Sequence, residues 1–549
     1  MRQGSYLREI EARITLGSIF TAFIKNDYIQ KIGSPMVWTA SLRSLAIAAL
    51  VFSAFITFRY IQQPIVEPHA FRQAQTALTA YWILKEGWML AYQTPVAGFP
   101  WSIPFEFPIY QMIVAAVSAV TSLDLVAVGR VVSFAFLVGC AWPVFAISRR
   151  LTLPDSVPWV FCAVMWTSPL SVFWGRTFMI ETTAVFFTLA CIPYAMDLIR
   201  RDGGWQSPAL FVGFASLGIL QKATTCGPVL LFLLLAAVAI TVREKGVGCQ
   251  ALQQLALPIA TMSIPLAIGA VWAHYTDTVK MENPLGAGLT SHALVQWNFG
   301  TLGQRLDFNT WRLVVWERLM GRNVGGIINS MVLILPWIVG GRHRRFAWLS
   351  FAAVALFLLP IGIFTNLHFI HDYYQVACVA FLSAAVSIVI GGWLVNISGK
   401  TLLVPAVTMM VMLANITEFN AIYGTGMARS LHESDPRSVK AHAIASYLRE
   451  HTPADSGLVI FGQDWSSEVA FLSQRRTMTS PVWFLEYRNT WEHPGAYLGS
   501  LSLGAIVVCP SSGGFPNEAD VDARVTRESG WRVERVSDCQ ILLPSNGRE

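Results

Sequence analysis

The chain has 549 residues, of which 54% are hydrophobic and only 13% charged, with a formal net charge of +6 at neutral pH. A soluble domain carries roughly 25% charged residues, so a soluble globular class is excluded. The modest positive balance sits in Lys/Arg clusters beside apolar runs, where it sets membrane orientation rather than binding nucleic acid.

Residues 1–40 are mixed polar and show no pattern of a cleaved leader. Ile10, Ile14, Phe20, Phe23 and Ile24, set among basic residues, predict an interfacial helix on the inner face within 1–43. Apolar runs near the ~20 residues that cross a bilayer follow. They predict spans at 44–61, 126–147, 156–174, 179–198, 207–221, 226–242, 254–273, 325–340, 347–364, 374–394 and 401–417. Lys/Arg bias marks inner loops. With the N-terminus inside, Arg149-Arg150, Arg200-Arg201, Arg243 with Lys245, and Arg342-His343-Arg344-Arg345 all fall inside. The apolar segment 108–122 would reverse this parity if it crossed, and at about 15 residues it is short for a span. It is therefore read as an interfacial or re-entrant helix.

The stretch 276–324, with Trp297, Trp311 and Trp316, forms a second large outer loop in this reading. After residue 417 charges and turn residues rise. An amphipathic helix is predicted at 438–450, short buried strands at 457–462 and 505–509, and a helix at 466–473. The expected architecture is a polytopic α-helical membrane protein, about eleven spans over 44–417, with a small extracytoplasmic α/β domain at 418–549. Six of the eight cysteines lie in or beside membrane segments as small apolar packing residues. Cys509 and Cys539 lie alone in the outer domain, where an oxidising compartment favours a disulfide over the alternative of two buried thiols.

Four polar motifs fall on the outer side. They are Glu67-Pro68-His69-Ala70-Phe71-Arg72-Gln73-Ala74-Gln75, Phe105-Glu106-Phe107-Pro108-Ile109-Tyr110, Arg176 with Glu181, and His371-Asp372-Tyr373-Tyr374. Ionisable groups at a bilayer are costly, so each is a functional candidate. Glu67 or His69 can act as a general base, and Arg72 matches phosphate geometry. Each has a plainer reading as well: a helix cap with a snorkelling arginine, a helix-start acid at Glu106, an Arg176–Glu181 ion pair, an aromatic belt at Tyr373 and Tyr374. Glu181 lies one step inside an apolar run, where a carboxylate is expensive. Lys222, at the outer end of its span, either meets a lipid phosphate or snorkels. His368 and His371, three apart, are too weak a pattern for a metal site. Asp520-Val521-Asp522 is a DxD of low specificity and is set aside. No metal and no cofactor is expected.

The order of these motifs resembles the integral-membrane GT-C glycosyltransferases of the protein O-mannosyltransferase and aminoarabinose transferase type (glycosyltransferase family 39/83-like), over residues 44–240. The resemblance implies transfer, with inversion, of a sugar from a polyprenyl-phosphate donor to an extracytoplasmic lipid, glycan or protein acceptor, at the cell (inner) membrane. It implies Glu67 or His69 as base and Glu181 as a second catalytic acid. Substrate contacts would come from Arg72, Gln73, Gln75, Glu106, Tyr110, Arg176, Lys222, His371, Asp372, Tyr373 and Tyr374. The sequence departs from the family twice. His69 stands where an Asp three residues before the Arg is usual. Phe107 replaces the Lys that follows the Glu, so Arg72, Arg176 or Lys222 must supply that charge. Two other classes fit the same hydropathy: a lipid-linked sugar transporter or flippase, and a non-catalytic envelope assembly protein.

Overall fold

The computed structural model describes residues 36–65, 68–202, 204–339, 344–398, 402–431, 436–511, 513–528 and 530–544. The interfacial helix expected before the first span lies outside the described residues, as do Val66 and Glu67. Among the described residues, eight helices are long and apolar enough to cross a membrane. They are Thr39–Arg59, Leu125–Arg150, Glu181–Arg200, Gln206–Lys245, Cys249–Met281, Arg344–Ile363, Asp372–Leu394 and Leu403–Arg429.

The eleven expected spans differ from these eight in three places. Residues 207–221 and 226–242 are the two arms of Gln206–Lys245, whose helix is broken at Lys222 (φ −163°, ψ 95°). The chain reverses there, because Cys226 Sγ comes within 3.8 Å of the Ala215 carbonyl, eleven residues earlier. In a straight helix that separation is about 16 Å. The span expected at 156–174 is divided into Ser156–Met165 and Pro169–Trp174, since Pro169 cannot donate to the preceding turn. The span expected at 325–340 has only 13 helical residues, Ile327–Val339, because Gly325 and Gly326 at positive φ delay its start. Ile109–Thr121 is likewise 13 residues, about 20 Å, which falls short of the ~30 Å hydrocarbon core. It turns straight back into Leu125–Arg150, with the Tyr110 hydroxyl donating to the Gly129 carbonyl.

The Arg clusters gather at one end of the bundle. Arg150 pairs with Asp197 at 2.7 Å and its carbonyl accepts from Arg200, while Arg201 donates to the Gln253 and Gln254 carbonyls. Arg345 reaches the Leu151 and Thr152 carbonyls. Glu181 starts the same 20-residue helix that Arg200 ends, so about 30 Å separates the two ends.

The last long helix runs on past residue 417 to Leu431 through a π-helical turn at Asn420–Gly424, so the α/β unit begins only at Pro436–His451. Its sheet comprises β1 (Gly457–Phe461), β2 (Arg476–Ser480), β3 (Leu503–Val508), β4 (Arg532–Val536) and β5 (Cys539–Leu543), in the order β2-β1-β3-β5-β4. β1 runs parallel to β2 and β3, and β5 antiparallel to β3 and β4. Alternation sends Leu458, Ile460 and Val507 toward Ile444 and Leu448 of Pro436–His451. Val459, Phe461, Ile506 and Val508 face the other way. They share a core with Leu78, Trp82, Val96, Leu285 and Leu289 of the membrane-side loops. The loop after the helix Ala70–Glu86 also extends the sheet past β2: Thr477 N donates to Pro95 O, Gly98 N to Thr477 O and Thr479 N to Val96 O. Arg476 closes the contact on Glu86 at 2.7 Å.

Cys509 and Cys539 form a disulfide, with Cα atoms 4.2 Å apart and a sequence separation of 30. In the loop-entropy picture such a bridge stabilises by about 3–4 kcal/mol. Cys509→Ser is expected to lower the denaturation midpoint of the domain, read by chemical unfolding, and reducing agent should then have no further effect. An unchanged midpoint would show the bridge to be energetically idle.

Candidate active site

Arg72 lies on the helix Ala70–Glu86, which starts at His69 in the left-handed region (φ 55°). A non-glycine residue there is strained, and such strain gathers at functional positions. Arg72 Nη2 donates to Glu106 Oε1 at 2.5 Å, and Nη1 to Gln75 Oε1 at 2.5 Å, three residues along the same helix face. Burial alone would push the Glu106 carboxyl up, but the charges of Arg72 and Lys222 outweigh it and hold the group below the usual range. Burial likewise disfavours charge on Arg72, and attraction to Glu106 more than offsets this, raising its pKa.

The loop carrying Glu106 is pinned by Tyr92, which sequence patterning did not single out. Its hydroxyl accepts from Phe105 N and donates to Glu106 O, both at 2.8 Å. Tyr92→Phe leaves one buried N–H and one carbonyl without that partner, a cost of roughly 1–3 kcal/mol. We expect an intact fold and a turnover lowered by about tenfold through a misplaced Glu106, measured as turnover at saturating substrate. Unchanged turnover would remove the positioning role.

Lys222 sits at the break between the two hairpin arms, and its Nζ lies 2.5 Å from both oxygens of Glu181. Both side chains are 3% exposed. Glu181 opens its helix, where backbone N–H groups favour an anion. The ammonium also lies 3.7 Å from the Tyr374 ring centroid and 5.2 Å from that of Tyr373, within cation–π range.

His69 faces the fourth motif. Its Nε2 is 3.2 Å from Asp372 Oδ1, which is charge-contact distance. That oxygen receives no aligned hydrogen bond, so the contact is electrostatic. The His69 Nδ1 lies 3.4 Å from Nδ1 of His371. Burial, His69 and the nearby Arg72 and Lys222 push His371 down to about 3, so it is neutral at physiological pH. Arg318, also unmarked in the sequence, donates to the His368 and Phe369 carbonyls and fixes the approach to this motif.

His69, Arg72, Gln75, Glu106, Glu181, Lys222, His371, Asp372, Tyr373 and Tyr374 are thus one connected cluster. Three expected residues have other work. Tyr110 is fully buried in helix packing, its hydroxyl bonded to Gly129 O and Ser133. Gln73 donates to Pro68 O and accepts from Phe178 N. Arg176 is buried over the rings of Tyr60 and Phe173.

An apolar cavity lies below the cluster. Its walls include Leu189 and Met196 from the helix headed by Glu181, Val229 and Leu233 from the arm after Lys222, and Ala380 and Phe381 from the helix holding Tyr373 and Tyr374. The cavity reaches Arg200 at the opposite end.

Neither a protein-family model nor a curated protein matches the sequence. The solved structure of ArnT from Cupriavidus metallidurans bound to undecaprenyl phosphate is similar with a TM-score of 0.58, at 12% identity, over 94% of this chain and 99% of that one. The chain has a GT-C fold. The apo state of the same ArnT is similar with a TM-score of 0.54, again at 12% identity, covering 90% and 97% of the two chains. The GT-C fold and the apolar helices make this a multi-pass membrane protein.

Proposed function

We propose that this GT-C chain is a glycosyltransferase that moves a sugar from a polyprenyl-phosphate donor to an extracytoplasmic acceptor, with inversion. The observation that carries the reading is the buried Lys222–Glu181 pair at the head of helices that, about two turns further along, wall an apolar cavity. That combination suits a molecule with a phosphate head and a long hydrocarbon tail. Undecaprenyl phosphate in the similar ArnT structure is of this kind.

In the proposed step the acceptor oxygen bonds to the sugar's anomeric carbon as the carbon–oxygen bond to phosphate breaks. The acceptor proton goes to His69 Nδ1, and Asp372 beside Nε2 stabilises the imidazolium. Lys222 and Arg72 stabilise the charge that develops on the departing phosphate. Their carboxylate partners, Glu181 and Glu106, keep both cations fixed while the site is empty. A flippase would need a polar route through the membrane, and here apolar cavity walls lie between the outer cluster and the Arg end.

The test is binding of undecaprenyl phosphate to the purified chain, followed by transfer from a set of polyprenyl-phosphate sugars. Saturable lipid binding that weakens in Lys222→Gln supports the reading. Binding indifferent to Lys222, or none, overturns it.

A further inference from the structure

The α/β domain has a topological switch point that the proposed chemistry does not use. In open sheets, ligands bind outside the carboxyl ends of parallel strands, where neighbouring strands send their connections in opposite directions. Here β1 leads toward β2 on one side while β3 leads toward β4 and β5 on the other. The loops leaving β1 and β3 touch, since a side chain at Gly462 would run into the Cys509 carbonyl. Gln463 Nε2 donates to Cys509 Sγ at 3.3 Å across the same junction.

Two indoles flank this point. Trp483, 47% exposed in the loop after β2, donates Nε1–H to Asp464 Oδ1 at 2.9 Å. Asp464 is itself exposed and held at φ 50°. Trp465 lies 6.1 Å from the ring of Phe105, the residue next to Glu106. The switch point therefore lies beside the loop bearing Glu106 rather than on the far side of the domain.

We propose that this switch point, with its two indoles, is the subsite for a pyranose ring of the acceptor, which makes the acceptor a glycan or a glycolipid bearing one. This rests on the transfer reaction proposed above. Indole faces stack on the C–H face of a sugar ring, and a carboxylate and an amide accept and donate to its hydroxyls. Gln463, Asp464, Trp465 and Trp483 offer no cation, so they suit a neutral hydroxylated ring and not a phosphate. A tryptophan kept half-exposed and oriented by a carboxylate is poorly explained by domain packing alone, because packing would bury it.

The test uses the full chain in a detergent without sugar head groups. Maltotriose and the trisaccharide of β-1,4-linked N-acetylglucosamine are the probes, read by intrinsic tryptophan fluorescence and by saturation-transfer NMR. At least one probe should bind saturably, and Trp465→Ala and Asp464→Asn should each weaken it about tenfold. Asp464→Asn should keep the wild-type unfolding temperature, and both variants should keep the wild-type undecaprenyl-phosphate affinity. No saturable binding of either probe, or binding unchanged in the correctly folded Asp464→Asn protein, overturns the subsite. Loss of undecaprenyl-phosphate binding by the wild-type chain would instead overturn the transfer reaction and leave the saccharide result to be judged alone.

Discussion

Lys222→Met is expected to abolish transfer and to destabilise the protein by about 3–5 kcal/mol, because it leaves the Glu181 carboxylate buried without its counter-charge. A fold effect and a catalytic effect are therefore superimposed in the single variant. The double variant Lys222→Met, Glu181→Leu separates them. It removes both charges and restores an apolar fill, and replacing a whole buried pair in this way is close to neutral for stability. Thermal unfolding should return most of the way to wild type. Transfer should stay down by at least about 10²–10³, the usual loss for one electrostatic contact to the developing charge. If the double variant recovers turnover along with its unfolding temperature, the pair is architecture and the phosphate is held elsewhere.

His69→Ala should lower turnover by about 10²–10⁴, the range for a general base, with undecaprenyl-phosphate affinity nearly unchanged. Asp372→Asn should also lower turnover, since it removes the charge that faces His69 Nε2 and stabilises the imidazolium. Glu67 is the competing base. With His69 as the base, Glu67→Gln should turn over within a few-fold of wild type. A large loss in Glu67→Gln with an active His69→Ala would transfer the role to the carboxylate. Initial rates at saturating donor and acceptor decide between the two.

Hydropathy and charge carry most of the membrane architecture because both are local. The Arg clusters predicted to share a side do meet, at Arg150, Arg200, Arg201 and Arg345. The gap left between the spans at 207–221 and 226–242 is where the chain reverses around Lys222. The polar motifs were visible because a charge beside an apolar run has few plain explanations. The individual partners were not visible. Nothing in the spacing says that Glu181 takes Lys222, 41 residues away, when Arg176 is nearer in sequence. Tyr92 and Arg318 act through backbone contacts, and such contacts leave no residue-type signature. Tyr110 and Gln73 looked like site residues because of the motifs around them, whereas their hydrogen bonds serve helix packing. The strands and helices of the α/β unit were readable from short apolar runs and turn residues. Its docking was not, since an edge strand carries no mark of the loop it will accept.

That docking has a bearing on when the polar cluster comes into being. The segment at residues 95–98, which leads into the loop bearing Glu106, pairs with β2, some 380 residues later. Contacts so distant in sequence are slow to form and wait on the arrival of both halves. A membrane chain made from its N-terminus inserts helix by helix, so the loop at residues 95–98 emerges long before its partner strand exists. During that interval the Glu106 loop lacks its sheet edge and its anchor on Arg476. The polar cluster is therefore completed by the last quarter of the polypeptide, and a prematurely ended chain would sit in the membrane with its spans in place and that cluster unassembled.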